Sequence, residues 1–204
     1  MTITNGYATL AAVQTAGHYQ DSLSDPELER AIESASRMID GWCKRRFWVD
    51  SGVTARVYRP VDRYRVRTDD ISTSTGLIVA YDSGDDGTYE TTITSTNYQL
   101  YPLNGIMAGI EGWPYTSIEL VEGDLFPIYS KRPAVQITAK WGWAAVPKAI
   151  QQATIVQALR VHKGLDAPFG IVETPDGLGA RLPAMHAEVR ALIAPYMNQA
   201  VLVG

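Results

Sequence analysis

The chain has 204 residues, a formal net charge of −4, and a composition that is 46% apolar and 20% charged, which is typical of a folded domain and excludes intrinsic disorder. Its single cysteine, Cys43, excludes an intrachain disulfide, and the mild negative charge gives no general attraction to nucleic acids. No run approaches about 18 apolar residues, and the opening MTITNGYATL lacks the basic and apolar regions of a signal peptide, so the sequence predicts a soluble chain with no membrane partner.

The first predicted element is a short helix over Thr9–Gln14. Thr9 can cap its start, Leu10 and Val13 give it a small apolar face, and Gly17 is expected to end it. Because a helix of this length is not stable alone in water, we expect it to pack on the next helix.

The clearest helix of the chain lies within Ser24–Trp48. Asp25 followed by Pro26 is a typical start, and Ser24 with Glu27 offers an alternative capping box one residue earlier. Apolar residues then recur at spacings of three and four, which indicates one buried stripe: Leu28, Ile32, Ala35, Ile39 and Trp42.

After Trp48 the chain becomes rich in Thr, Val, Tyr and Ile, interrupted by turn residues, which predicts an antiparallel sheet or small sandwich. The predicted strands are Ala55–Tyr58, Tyr64–Arg67, Gly76–Tyr81, Tyr89–Thr94, Tyr98–Leu100, Ser117–Leu120 and Ala134–Trp141. The last has the strongest alternation, with one face formed by Val135, Ile137, Ala139 and Trp141.

The acidic segment Asp82–Gly87 superficially resembles a calcium-binding loop. Gly84 stands where such a loop needs a ligand, and Ile93 stands where a glutamate should close the site. We therefore interpret the segment as a hairpin turn and predict no metal site.

The C-terminal third begins with a second long helix over Pro147–Lys163, which Gly164 is expected to end. Its apolar residues cover more than one stripe, so it is either deeply buried or has two partners, which hints at a subunit interface. Residues 164–183 read as a long connection or extended arm, and a last helix is predicted over Ala184–Tyr196. The apolar end 200–204 is expected to dock on a partner.

No catalytic signature appears in the sequence. His18, His162 and His186 are isolated and read as surface or helix-end residues, Cys43 reads as a free thiol, and the loop glycines around Gly109 match no nucleotide-binding fingerprint. We predict no enzymatic activity and no cofactor.

Five arginines crowd into a short stretch: Arg56, Arg59, Arg63, Arg65 and Arg67. One interpretation is a strip that contacts DNA phosphates. The favoured interpretation is a solvated strand face balanced by nearby aspartates, because the last three alternate with Tyr64 and Val66.

Across residues 5–196 the order of features resembles the head-to-tail connector (adaptor) proteins of tailed bacteriophages. The pieces that carry the resemblance are YATL at Tyr7–Leu10, SASRMIDGWCKRRF, TARVYRP at Thr54–Pro60, DSGDDGTYET, NYQLYPLN at Asn97–Asn104, GWPYTSIEL at Gly112–Leu120, ITAKWGWAAVPKAIQQATIVQALRVHKGLDAPFG and LIAPY.

The resemblance implies a structural, non-enzymatic virion protein, assembled in the host cytoplasm and located in the neck. Such proteins form a twelve-subunit ring beneath the portal, extend the channel through which double-stranded DNA passes without sequence-specific binding, and dock a tail-completion or stopper protein. The expected fold class is α+β: a single connector domain with N-terminal helices in 1–48, a β-rich insert in 49–143, a long helix in 144–163, and an arm with a C-terminal helix in 164–204.

A ring is a head-to-tail assembly, so each subunit needs two different contact patches. The predicted patches lie on the long helix, the arm and the C-terminal end, with candidate interface residues Ile155, Leu159, Phe169, Ile171, Val172, Leu192, Tyr196, Val201 and Leu202. On this interpretation, deleting residues 165–204 leaves a folded protein that cannot assemble.

Two alternatives remain open at the level of sequence. One is a different neck or tail-completion protein. The other is a carbohydrate- or protein-binding β module flanked by helices, with its tyrosines and tryptophans forming a platform. Because the tryptophans fall at the ends of predicted elements, the sequence favours core packing for them.

Overall fold

The structure is a computed structural model that describes residues 3–19, 25–129, 131–165, 171–173, 179–181 and 185–198. The chain forms two compact units: a helical unit, residues 1–47 with 146–204, and a β unit, residues 48–145. The fold class is α+β, as predicted, with four α-helices and several antiparallel sheets among the described residues.

Helix α1 spans Leu10–Gly17 and begins where the sequence predicts. The Thr9 side chain accepts a hydrogen bond from the backbone N–H of Ala12, which satisfies one of the free donors at the helix start. Gly17 is the last residue of the helix, and His18 adopts the left-handed conformation that ends it, with φ of 57°. Val13 is buried against α2 and α3.

Helix α2 spans Asp25–Cys43 and confirms four of the five residues of the predicted apolar stripe, because Leu28, Ile32, Ala35 and Ile39 are buried. The fifth, Trp42, is half-buried. The helix ends before Trp48, since Lys44 has a φ of 54° and leaves the helical region. Ser24 and its capping box lie outside the described residues.

The N-terminal segment is fixed to α2 through Tyr7. Its hydroxyl donates to Asp40 and accepts from the backbone N–H of Phe47 at 2.8 Å, while its ring meets Phe47 edge-on at 5.6 Å. Because Tyr7 is buried and its hydroxyl has both partners, this network holds the C-terminal end of α2 and the residues after it to the start of the chain.

Helix α3 spans Lys148–Leu165, so Gly164 lies inside the helix rather than ending it. The helix packs against α1, α2 and α4 of the same chain, and Ile150, Ala153 and Ala158 are fully buried. Its broad apolar surface is therefore explained by several partners within one protomer. No described helix is both long and apolar enough to cross a membrane.

The C-terminal region forms α4, Ala187–Ile193, followed by one 3-10 turn, Ala194–Tyr196, that contains Pro195. Val189 and Ile193 are fully buried, and Asn198 donates its backbone N–H to the carbonyl of Cys43 at 2.8 Å. Because this region supplies part of the core, the structure argues against the prediction that residues 165–204 can be removed from a folded protein.

Nine of the strands that the structure describes lie in the β unit. They are β1 Thr54–Tyr58, β2 Arg65–Ile71, β3 Ile78–Tyr81, β4 Thr91–Thr92, β5 Tyr98–Tyr101, β6 Ile106–Met107, β7 Ile110–Glu111, β8 Tyr115–Leu120 and β9 Val135–Ala139. A four-stranded sheet has the order β1-β9-β3-β4, and a three-stranded sheet has the order β2-β8-β5, with every pairing antiparallel.

The two sheets share one apolar core, as expected of a small sandwich. The predicted inward face of β9 is confirmed, because Val135, Ile137 and Ala139 are fully buried and their neighbours are not. Trp141 is also fully buried, and its indole N–H donates to the carbonyl of Thr54 at 2.9 Å.

Two short hairpins are absent from the predicted elements. Strands β6 and β7 pair where a loop is predicted, and β10, Ile171–Glu173, pairs with β11, Gly179–Arg181, where an arm without periodic structure is predicted. Strands of two or three residues are too short to show alternation, which is why neither hairpin could be predicted.

Candidate functional site

Within the described part of the chain, Cys43, His162 and His186 each have a structural environment. Cys43 is fully buried, and burial raises the pKa of its thiol to about 12, so the nucleophilic thiolate does not form at neutral pH. His186 caps α4 by accepting the backbone N–H of Glu188. The Nδ1 atom of His162 in α3 lies 3.0 Å from the hydroxyl of Tyr19, which follows α1, so this contact links α3 to the end of α1.

The loop between β3 and β4 is built on the Asp82 carboxylate, and the predicted hairpin turn is confirmed. Asp82 is fully buried and accepts hydrogen bonds from the backbone N–H groups of Gly84 at 2.9 Å, Asp86 at 3.4 Å and Gly87 at 2.7 Å. Desolvation alone would raise the pKa of this carboxyl, but the hydrogen bonds from Gly87, Gly84 and Asp86 outweigh it and lower the pKa below its ordinary value.

Asp82, Asp86 and Glu90 each place a carboxylate oxygen within 4.8 Å of the others, a spacing that a cation could bridge. The same carboxylates accept hydrogen bonds from their own loop: Asp86 from the N–H of Thr88 and Glu90 from Ser83. The turn by itself therefore explains where these side chains lie.

Replacing Asp82 with asparagine is expected to lower the melting temperature by several degrees at pH 7. The lowered pKa means that the ionised carboxylate stabilises the fold above its unfolded-state pKa, and that this stabilisation is lost as the pH falls through the folded-state pKa. The difference between Asp82→Asn and wild type should therefore shrink below about pH 4. Thermal melts across this range test it, with Asp85→Asn, an exposed residue of the same loop, as the control. An equal effect of both variants would contradict the role of Asp82.

Two of the five arginines of residues 56–67 are paired with acidic side chains. Arg56 lies 2.6 Å from the Asp69 carboxylate and covers the Trp141 ring, with its Cζ 4.5 Å from the ring centroid. Arg65 pairs with Glu119 at 3.0 Å across the β2–β8 ladder. These ion pairs agree with the favoured interpretation, a charge-balanced, solvated face.

The structure places the predicted interface residues in different surroundings. Ile155 and Leu159 are half-buried and pack on the core between α1, α2 and α3. Tyr196 is buried and meets Phe47 edge-on at 5.9 Å, while Leu192 is half-buried.

The remaining interface predictions concern the end of the chain and the preceding hairpin. Ile171 and Val172 lie on β10, whose backbone alone is described. Phe169, Val201 and Leu202 lie outside the described residues. Their assembly role stays a prediction.

The exposed large apolar side chains point instead to the β unit. Among the described residues, only two of the thirteen, Met38 and Met197, belong to the helical unit, and the other eleven belong to the β unit. Contiguous exposed apolar surface is typical of interaction sites.

These exposed apolar side chains form two groups in the β unit, and the first lies on one face of the four-stranded sheet. On the four-stranded sheet, Ala55 and Val57 of β1, Thr138 and Gln136 of β9, and Ile78 of β3 lie on the face opposite the core, here called the outer face. Val57 is 49% exposed and Ile78 is 50% exposed. The sequence could not show this, because the core-facing residues of β1 include Arg56 and Tyr58, whereas the apolar Val57 faces away from the core.

The second group is the hairpin tip, residues 103–111, formed by a 3-10 turn and by β6 and β7. Leu103, Ile106 and Met107 are between 37% and 50% exposed. Ala108 and Gly109 have φ of 50° and 78°, the pair of positive values that a tight two-residue hairpin turn requires.

Comparisons with known proteins give matches among solved structures only. No family model and no curated protein sequence matches the chain. The chain is similar to one in the neck of an empty gene transfer agent particle computed with C6 symmetry, with a TM-score of 0.57 and 17% identity over 100% of this chain and 96% of that one. A chain of the virion of a native gene transfer agent particle gives a TM-score of 0.54 at 17% identity, over the same shares. These values indicate a shared fold along the whole length of the chain.

Proposed function

We propose that this chain is a structural protein of the neck of a phage-like particle, where it forms a ring beneath the portal, joins head to tail and extends the DNA channel. The observation that carries the proposal is the fold similarity to a chain of a gene transfer agent neck, which spans all of this chain and 96% of that one. The order of sequence motifs that resembles phage connector proteins supports it independently.

The chemistry of the described residues supports a non-enzymatic role. The Cys43 thiol is buried and protonated, and the carboxylates around Asp82 serve the turn that contains them. The partners that follow are copies of the same chain, the portal protein, and a stopper or tail-completion protein. A ring of twelve subunits is compatible with sixfold symmetry such as that used for the similar neck.

Double-stranded DNA in such a channel would pass without sequence-specific binding. The chain carries a net charge of −4, and Arg56 and Arg65 are engaged by acidic side chains of the same chain. A channel wall that attracted phosphates strongly would slow DNA passage, so a balanced surface suits this role.

Mixing the purified chain with the portal ring of the same particle is expected to add one ring of this protein to the portal. Mass photometry should show a single increment of about twelve subunit masses, in line with the proposed ring, and negative-stain images should show an added ring at one end. The chain mixed with an unrelated portal is the control. Absence of any portal complex and of any ring would overturn the proposal, while binding to a tail component alone would indicate a different neck protein.

The binding-module alternative receives no support from the three buried tryptophans. Trp113, Trp141 and Trp143 are at most 5% exposed, and Trp113 packs edge-on against Trp143 at 5.0 Å. These rings belong to the core instead of forming a platform. A reproducible glycan-array signal without portal binding would reverse this conclusion.

A further inference from the structure

The hairpin tip is an excursion that the sheet does not require. Strands β5 and β8 pair directly, with Tyr101 opposite Ser117, and antiparallel neighbours can be joined by two to five residues. Here residues 102–114 intervene. Additional chain that leaves a sheet and returns to it is often functional.

The base of the excursion is anchored while its tip is exposed. Trp113 is buried, donates its backbone N–H to the Gly105 carbonyl at 2.9 Å and packs on Trp143. Beyond this base, Ile106 and Met107 remain exposed, and Ala108 occupies a left-handed conformation that disfavours side chains. Such strain is often retained at functional sites, and a fixed apolar tip is suited to docking.

The outer face also exposes apolar side chains, to which an apolar tip could dock. Across β1, β9 and β3 it offers Val57 and Ile78, about half exposed, and Val53, just before β1, is 52% exposed. An exposed apolar face next to an edge strand favours association with another chain.

The charges of the two surfaces are complementary. The outer face carries one charged residue, Lys140, which follows Thr138 by two residues and so continues its side of β9. The hairpin tip carries one charged residue, Glu111, opposite Ile106. Within the described part of the chain neither residue has an ion-pair partner.

We propose that the hairpin tip of one subunit packs on the outer face of the next, with Leu103, Ile106 and Met107 against Val53, Val57 and Ile78, and Glu111 beside Lys140. The inference rests on the proposed ring, and it identifies the two different patches that a head-to-tail contact needs. A second copy is the favoured occupant, because both surfaces occur once in the same chain with opposite single charges.

The test exchanges the two charges in the full chain and measures ring formation on the portal by mass photometry. Lys140→Glu and Glu111→Lys are each expected to raise the protomer concentration for half-maximal ring formation at least about tenfold, because each places like charges together at every contact. The double variant should return to within about twofold of wild type, because opposite charges meet again at every contact. An equimolar mixture of the two single variants should also form rings, in which the two variants alternate, because opposite charges meet only at contacts between unlike subunits.

The apolar part of the contact has its own variants. Ile106→Ser and Val57→Thr are expected to weaken ring formation similarly, whereas Val121→Thr, equally exposed but outside both surfaces, should not. Thermal melts should be unchanged for all of these exposed positions.

The possible outcomes separate the two proposals. If wild type forms no ring on the portal, the proposed function fails. If wild type forms rings and the single charge variants do so equally well, or if the double variant stays as defective as the single ones, the hairpin-to-sheet contact is overturned and the proposed function stands. A defect of Lys140→Glu without one of Glu111→Lys would likewise exclude the hairpin tip as the occupant.

Discussion

Replacing Gly142 with alanine is expected to unfold the β unit. Gly142 has a φ of 107°, and an added Cβ would lie 1.9 Å from the carbonyl oxygen of Trp48 and 3.1 Å from the Cα of Val49. These are backbone atoms of the segment bridged to Gly142, so no side chain can move aside to make room. Gly142 also donates its N–H to the Asp70 carbonyl at 2.7 Å, which fixes it on its other side.

The loss should exceed about 4 kcal/mol, because steric overlap adds to a backbone conformation that alanine disfavours. Urea unfolding followed by tryptophan fluorescence measures it, since Trp141 and Trp143 are buried in the same unit. Gly52→Ala is the matched control, because its added Cβ meets nothing within 4 Å and its φ is ordinary. A Gly142→Ala protein as stable as Gly52→Ala would show that the segment from Trp48 can shift freely.

Removing residues 165–204 is expected to unfold the helical unit. The deletion takes away Val189, Ile193 and Tyr196, all buried, and exposes the surfaces of α3 and Phe47 that they cover. At about 1.5–3 kcal/mol for each buried side chain, the loss is roughly 5–9 kcal/mol, which is comparable to the whole stability of a typical domain.

Far-ultraviolet circular dichroism and limited proteolysis measure this loss, with cleavage expected within α1 and α2. A chain that ends at Asn198 keeps the described contacts, including the hydrogen bond to Cys43, and should remain folded. It is also the appropriate protein in which to test whether Val201 and Leu202 contribute to assembly. A 165–204 deletion with intact helices would mean that α1, α2 and α3 form a sufficient core alone.

The sequence predicted the elements in which one strong local pattern decides the outcome. The stripe from Leu28 to Ile39 and the alternation from Val135 to Ala139 each repeat often enough to define a buried face. Gly84 and Gly87 between two strand-like runs predicted a turn, because glycine adopts the positive φ that Gly87 has in the structure, and this is a local property.

The elements that depend on distant partners could not be predicted in the same way. The apolar surface of α3 suggested a subunit contact, but the sequence does not reveal that α1, α2 and α4 together cover Ile150 and Ala158. The hairpin tip was missed because Ala108 stands where glycine or asparagine is expected in such a turn. Periodicity shows which side chains are apolar, but only the packed chain shows which of them remain exposed.

The helical unit is interrupted by the whole of the β unit, and this has a consequence for biosynthesis. As the polypeptide leaves the ribosome, Leu28, Ile32 and Ile39 emerge about 100 residues before the helix that covers them, an interval of roughly 5–20 s at ordinary translation rates. Residues 48–145 are contiguous and can fold within that interval. The apolar face of α2 must meanwhile be shielded from other nascent chains until α3 has been translated.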